Sequence, residues 1–200
     1  MQAIHQAIVS GQCAADLAGI VSDQPAAKGL EYAQEHGLAY TCLPRHPGEL
    51  RADYDQRLKS AVDQYQPDFV ILAGFMRILT ADFVQAYAGR LINIHPSLLP
   101  DYKGLNTHQR VLDDGCCEHG TTVHFVTPEL DAGPAIAQAR FMIRKEDTTS
   151  SLMDFTKSCE YVIYPLCVHW LATGWVQLID NQVVSGTKRL VSAITLPFAR

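Results

Sequence analysis

The chain has 200 residues, 48% of them hydrophobic, which is enough for one sizeable core and too few for two ordinary domains, so a single domain over 1-200 is expected. Its net charge of -5, with no Lys/Arg run longer than Lys188-Arg189, argues against a nucleic-acid groove, which needs a basic stripe. No stretch of about 18 apolar residues is present to span a bilayer, and Met1-Gln-Ala-Ile-His-Gln-Ala-Ile-Val-Ser lacks the basic head and apolar run of a signal peptide.

In chain order, Leu17 to Val21 reads as a short apolar strand, Pro25 to His36 as a helix stopped at Gly37, and Ala39 to Leu43 as a second strand. Arg51 to Gln66 is an amphipathic helix closed by Pro67. Asp68 to Gly74 is an apolar run of the kind buried on both faces of a parallel sheet. Thr80 caps a helix to Tyr87, Leu91 to His95 is a strand, and Thr107 to Asp113 is a short helix.

The runs at 121-126 and 135-143 are strands, and Thr148 to Ala172 is a long helix that Pro165 should interrupt. Trp175 to Ile179 and Gln182 to Val184, joined by Asp180-Asn181, predict a small terminal hairpin. Alternating strands and helices favour an α/β fold, doubly wound around a largely parallel sheet. Such a domain usually opens with a buried strand and a glycine-rich phosphate loop. This sequence opens inside the helix that follows them.

Chemistry concentrates in Leu91-Ile-Asn-Ile-His-Pro-Ser-Leu-Leu-Pro100. Asn93 and His95 are two apart, so on a strand they face the same side, and Pro96 then ends ladder pairing. Two readings stand: a turn-forming Asn with a half-buried His, or an amide and an imidazole presented together at a site. Leu130-Asp131-Ala132-Gly133-Pro134 adds a carboxylate in a small-residue turn, where it either forms an Asx-turn or orients and charges the imidazole. Thr122 and His124 form a second polar pair on one side of a strand. His108 and His119 are read as surface histidines.

With these residues in place, the chain resembles the phosphoribosylglycinamide formyltransferase family of purine biosynthesis. The matching segments are Ala73-Gly-Phe-Met-Arg-Ile-Leu79, Gly89 to Pro100, His119-Gly-Thr-Thr-Val-His-Phe-Val126 and Glu129-Leu-Asp-Ala-Gly-Pro134; with Glu160 to Leu166 the likeness runs from about Ala14 to Leu171. Family members begin with a strand and a glycine-rich loop before a segment like Met1-Gln-Ala-Ile. The expectation is therefore an N-terminally truncated formyltransferase, Rossmann-like fold, with Met1 an internal methionine or the chain shortened.

The resemblance implies transfer of a formyl group from 10-formyltetrahydrofolate to the amine of glycinamide ribonucleotide, with no metal. It implies catalytic roles for Asn93, His95 and Asp131, and supporting roles for Thr122 and His124. Met76, Arg77, Ile78 and Leu79, with Glu118 and Asp131, match folate-binding positions. Arg51, Pro96, Gly104 and Glu160 match positions around the ribonucleotide. Cys116 and Cys117 stand where acidic residues are usual, and Lys103 and Asn106 also depart from the common pattern.

The partners implied are thus small molecules, the reduced folate and the ribonucleotide, with no nucleic acid and no membrane, acting on a cytoplasmic monomer or homodimer. Six cysteines without a Cys-x-x-Cys pair read as free thiols, in keeping with a reducing cytosol. Other functions share parts of this pattern. A 10-formyltetrahydrofolate deformylase would share Asn93, His95 and Asp131 but use water as acceptor. A hydrolase would use His95, His124, Asp131 and His108 as metal ligands, without any compact ligand pair in the sequence. An inactive remnant would bind folate without transferring the formyl group.

Overall fold

The computed structural model describes residues 1–200. Its elements in chain order are α1 (Gln2–Val9), β1 (Ile20–Ser22), α2 (Lys28–Glu35), β2 (Tyr40–Cys42), α3 (Arg51–Asp63), β3 (Val70–Leu72), α4 (Ala81–Ala86), β4 (Leu91–His95), α5 (Thr107–Asp113), β5 (Glu118–Phe125), β6 (Ala135–Met142), α6 (Thr149–Ala172), β7 (Val176–Ile179), β8 (Gln182–Ser185), β9 (Lys188–Arg189) and β10 (Ile194–Pro197). No helix is long and apolar enough to cross a membrane.

The architecture is α/β, and its central sheet is mixed, in the order β10-β6-β5-β4-β3. The β3/β4 and β6/β10 pairs are parallel, whereas β4/β5 and β5/β6 are antiparallel. The β5/β6 direction follows from the short Val126–Pro134 turn, which has no room for a crossover helix. Leu91 and Ile92 face opposite sides of β4. Leu91 enters a cluster with Tyr54, Leu58 and Val62 of α3 and Phe83 and Val84 of α4, while Ile92 packs with Phe125, Leu152 and Ile163. Successive strand residues point to opposite faces, so one strand feeds two cores.

β1 pairs only with β2, in a separate parallel ribbon, and no strand joins β1 to β3. Between them lies a cavity of about 1340 Å³ whose lining includes Ile20, Val21, Ile71, Ile4 and Leu171.

The α6 helix starts with a capping box, in which the Thr148 hydroxyl accepts from the Ser151 N–H and the Ser151 hydroxyl accepts from the Thr148 N–H. The expected interruption at Pro165 does not occur, for α6 runs through it. Proline leaves the carbonyl four residues back, that of Tyr161, without its helical donor; Tyr161 is 64% exposed, so water can serve instead.

The hairpin forms as β7/β8, with Asp180 and Asn181 both in the left-handed conformation that a tight hairpin turn requires. The short strands β9 and β10 were not foreseen. β10 carries Pro197 and pairs with β6 at the sheet edge, where a residue without an N–H is tolerated.

Candidate active site

Antiparallel pairing of β4 with β5 sets Asn93 opposite His124 and His95 opposite Thr122. Cross-strand partners share a face, so these four polar side chains converge at the end of β4. Pro96 stops the ladder there, and the chain turns into the loop 96-106.

Asp131 reaches the same place from the β5–β6 turn. Its backbone is left-handed (φ 48°), a conformation that a short polar residue adopts more readily than a bulky one. Two residues on, a Cβ at Gly133 would lie 1.8 Å from the Phe125 carbonyl oxygen, so only glycine permits the close approach that folds this turn onto β5. His95 Nδ1 lies 3.3 Å from Asp131 Oδ2, and the Gly104 N–H donates to that same oxygen at 3.0 Å.

The other ring nitrogen of His95, Nε2, is 3.0 Å from the Tyr102 carbonyl oxygen. A carbonyl and a carboxylate only accept, so this ring has an acceptor for a proton on either nitrogen. His124 differs. Its Nδ1 donates to the Phe125 carbonyl at 2.9 Å, which leaves Nε2 bare in the neutral ring, buried without a hydrogen bond and 3.9 Å from Asp131 Oδ1. Burial lowers the His124 pKa and so favours that neutral form.

Thr122 serves the loop. Its hydroxyl donates to the Ser97 carbonyl at 2.7 Å and accepts from the Leu99 N–H at 3.0 Å. The Thr121 hydroxyl lies 2.9 Å from the His95 carbonyl and 3.3 Å from Glu160 Oε1, which ties α6 to the end of β4. Burial raises the Glu160 pKa, and its hydrogen bond to Thr121 works against that rise.

The remaining expected residues divide by environment. Met76 and Ile78 are exposed (79% and 56%) on the loop after β3, where an apolar ring system could meet them; the Leu79 side chain instead points into the α3/α4 core, which leaves its backbone groups to the loop. Arg77 is engaged within the chain, 3.4 Å from Asp23 and stacked 4.0 Å over the Tyr54 ring. Asp55, buried on α3, accepts the Thr80 N–H at 2.6 Å and so fixes the end of this loop. Glu118 is exposed and pairs with Arg140 at 3.3 Å.

Arg51 is exposed at the start of α3, and Pro96 is half-buried beside His95. Gly104 joins the site through its backbone N–H. The reading of His108 and His119 as surface residues is corrected: His119 is 1% exposed and its Nε2 lies 2.7 Å from His108 Nδ1. Burial lowers the His119 pKa to about 4. Tyr102, Thr121 and Gln138 were missed, because each acts through a contact between segments that no local pattern announces.

No group of three or more His, Cys, Asp or Glu side chains is arranged to hold a metal ion, so the hydrolase reading finds no ligand set. What remains is an amide and a carboxylate-held imidazole at the end of an α/β sheet strand, the equipment of a group-transfer enzyme that handles a carbonyl carbon. The chain belongs to the formyl transferase family, whose pattern matches residues 1–168.

Among relatives it is 43% identical to phosphoribosylglycinamide formyltransferase of Escherichia coli over 190 residues, 95% of this chain and 90% of that protein. The phosphoribosylglycinamide formyltransferase structure from Coxiella burnetii superimposes with a TM-score of 0.93 at 43% identity, covering 98% of this chain and 92% of that one. A formyltetrahydrofolate deformylase from Pseudomonas syringae is similar at 26% identity and a TM-score of 0.84, with 92% of this chain matched to 61% of that one.

Proposed function

We propose that this enzyme transfers the formyl group of 10-formyltetrahydrofolate to the primary amine of glycinamide ribonucleotide, a step of purine biosynthesis. The observation that carries the reading is the His95–Asp131 pair, with Asn93 beside it on the same strand face. Attack of an amine on a formyl carbon develops negative charge on the formyl oxygen. Asn93 and a protonated His95 would donate hydrogen bonds where that charge appears, which lowers the barrier because they bind the transition state more tightly than the ground state.

Asp131 has two parts in this scheme. As a carboxylate it stabilises the charged imidazole, takes the proton that the attacking nitrogen must lose, and relays one, directly or through a water, to the folate nitrogen, which leaves with the electron pair of its bond to the formyl carbon as the intermediate collapses. Thr122 and His124 support it by orienting His95, Asp131 and the loop. Met76 and Ile78 would meet the folate ring, with backbone groups of Arg77 and Leu79. Arg51, Pro96, Gly104 and Glu160 would surround the ribonucleotide. The six free cysteines suit a reducing cytosol, where we place the reaction, carried by a monomer or homodimer.

The test is to mix the chain with the formyl folate and the ribonucleotide and follow deformylated folate and formylated amine together. Equal amounts of both are expected. Folate consumed with formate released, and no formylated amine, would favour deformylation instead; that reading rests on the more distant deformylase likeness. Folate binding with neither product would leave a binding remnant.

A further inference from the structure

Gln138 lies on β6 directly across from Thr122, with only 5% of its surface exposed. Its Nε2 donates to the Leu99 carbonyl at 2.7 Å and to the Thr122 hydroxyl at 3.1 Å, while its Oε1 accepts from Arg140 Nη2 at 2.8 Å. The orientation of this amide is forced from both ends. A guanidinium can only donate, so it must face the oxygen. The Thr122 hydroxyl spends its single proton on the Ser97 carbonyl, so towards Gln138 it can only accept.

We propose that Gln138 is a positioning residue for the reaction set out above, acting through the loop that follows His95. Three residues past Leu99, the Tyr102 carbonyl meets His95 Nε2; two further on, the Gly104 N–H meets Asp131. Both hydrogen bonds to the acid–base pair therefore come from a segment whose root is fastened by Gln138 and Thr122. The Ser97 hydroxyl, donating to the Asp101 carbonyl at 2.6 Å, carries the constraint across the intervening turn. An apolar side chain could fill the same volume, but it would leave the buried Leu99 carbonyl without a donor and free the loop to shift. Arg140, held in turn by Glu118, sets the amide.

This inference rests on the formyl-transfer reading for its kinetic half alone. In the full chain, Gln138→Met keeps length and apolar bulk, and Gln138→Glu keeps shape but presents an acceptor to the Leu99 carbonyl. Both are expected to lower kcat by about ten- to a hundredfold. KM for the folate should stay within about threefold, and the pH at which kcat is half-maximal should move by about half a unit or more, because the hydrogen bonds around His95 and Asp131 change. A purely structural role would lower the unfolding midpoint and leave that pH profile alone.

Amide hydrogen exchange read by mass spectrometry supplies a measure independent of the activity. Segment 97-104 should exchange about tenfold faster in Gln138→Met, with β4 and β5 unchanged. Wild-type protection of that segment, or wild-type kcat and pH profile in both variants, would overturn the proposal. If neither variant folds, Arg140→Leu removes the group that sets the amide without touching the core contact to Leu99. It should lower kcat by about threefold or more, and unchanged kcat and unchanged exchange there would overturn the proposal equally. A wild-type chain that makes no formylated amine would sink the formyl-transfer reading, and the exchange result would still decide the role of Gln138 in holding the loop.

Discussion

His95 Nδ1 and Asp131 Oδ2 face each other across 3.3 Å although one residue ends β4 and the other sits in the turn after β5. Both side chains are 8% exposed, so little water screens the pair.

If the pair performs acid–base chemistry, His95→Ala and Asp131→Ala should each reduce kcat by roughly 10²–10⁴-fold. Asp131→Asn is the sharper variant, since its amide oxygen can still accept from the Gly104 N–H but cannot take the proton of the attacking nitrogen. Steady-state kinetics with the formyl folate and the ribonucleotide measure this, and near-normal turnover in any of the three removes the assignment.

Asn93 should act on the transition state and not on binding. Asn93→Ala is expected to cost on the order of 10²-fold in kcat with both KM values little changed, as loss of an oxyanion donor does. A rise in KM at unchanged kcat would make Asn93 a binding residue.

Met76 and Leu79 are three apart in sequence yet should respond in opposite ways. Leu79 is 9% exposed within the α3/α4 core, so Leu79→Ala should destabilise the fold by about 2–5 kcal/mol in denaturant titrations. Met76→Ala should change stability by no more than about 0.5 kcal/mol while raising KM for the folate. The reverse pattern would show that the loop, not the core, depends on Leu79.

Stability should also depend on His119. Its pKa is lowered from 6.5 to about 4 by burial, so between those values the unfolded chain binds a proton that the folded chain refuses. The stabilising contribution is present above pH 6.5 and is lost as pH falls towards 4, amounting to roughly 2–4 kcal/mol at about 1.4 kcal/mol per unit. Unfolding titrations at pH 7.5 and 4.5 should show a smaller loss in His119→Gln than in the wild type. Equal losses would mean that other groups govern the acid limb.

Local rules determined much of this protein from sequence by itself. Period-two spacing put Asn93 with His95 and Thr122 with His124, Pro96 marked the strand end, and Thr107 to Asp113 formed a helix with those very bounds. These are properties of a few adjacent residues, and backbone geometry enforces them wherever the chain goes. The motifs around Ala73, Asn93 and Asp131 likewise carried the family, to which the match over residues 1–168 assigns the chain.

Only the tertiary structure decided the rest. It turned the sheet mixed, added β10 to its edge, carried α6 through Pro165 and buried His119 against His108. It also separated Leu79 from Met76 and engaged Arg77 with Asp23 and Tyr54. Above all, it brought the Tyr102 carbonyl to His95, the Gly104 N–H to Asp131 and the Gln138 amide to Leu99. The first joins residues seven apart across the loop after β4, and the other two join segments 27 and 39 residues apart; a buried polar group must find its partners there, and which ones it meets depends on how the loop folds and the layers pack, which no local pattern of residues specifies.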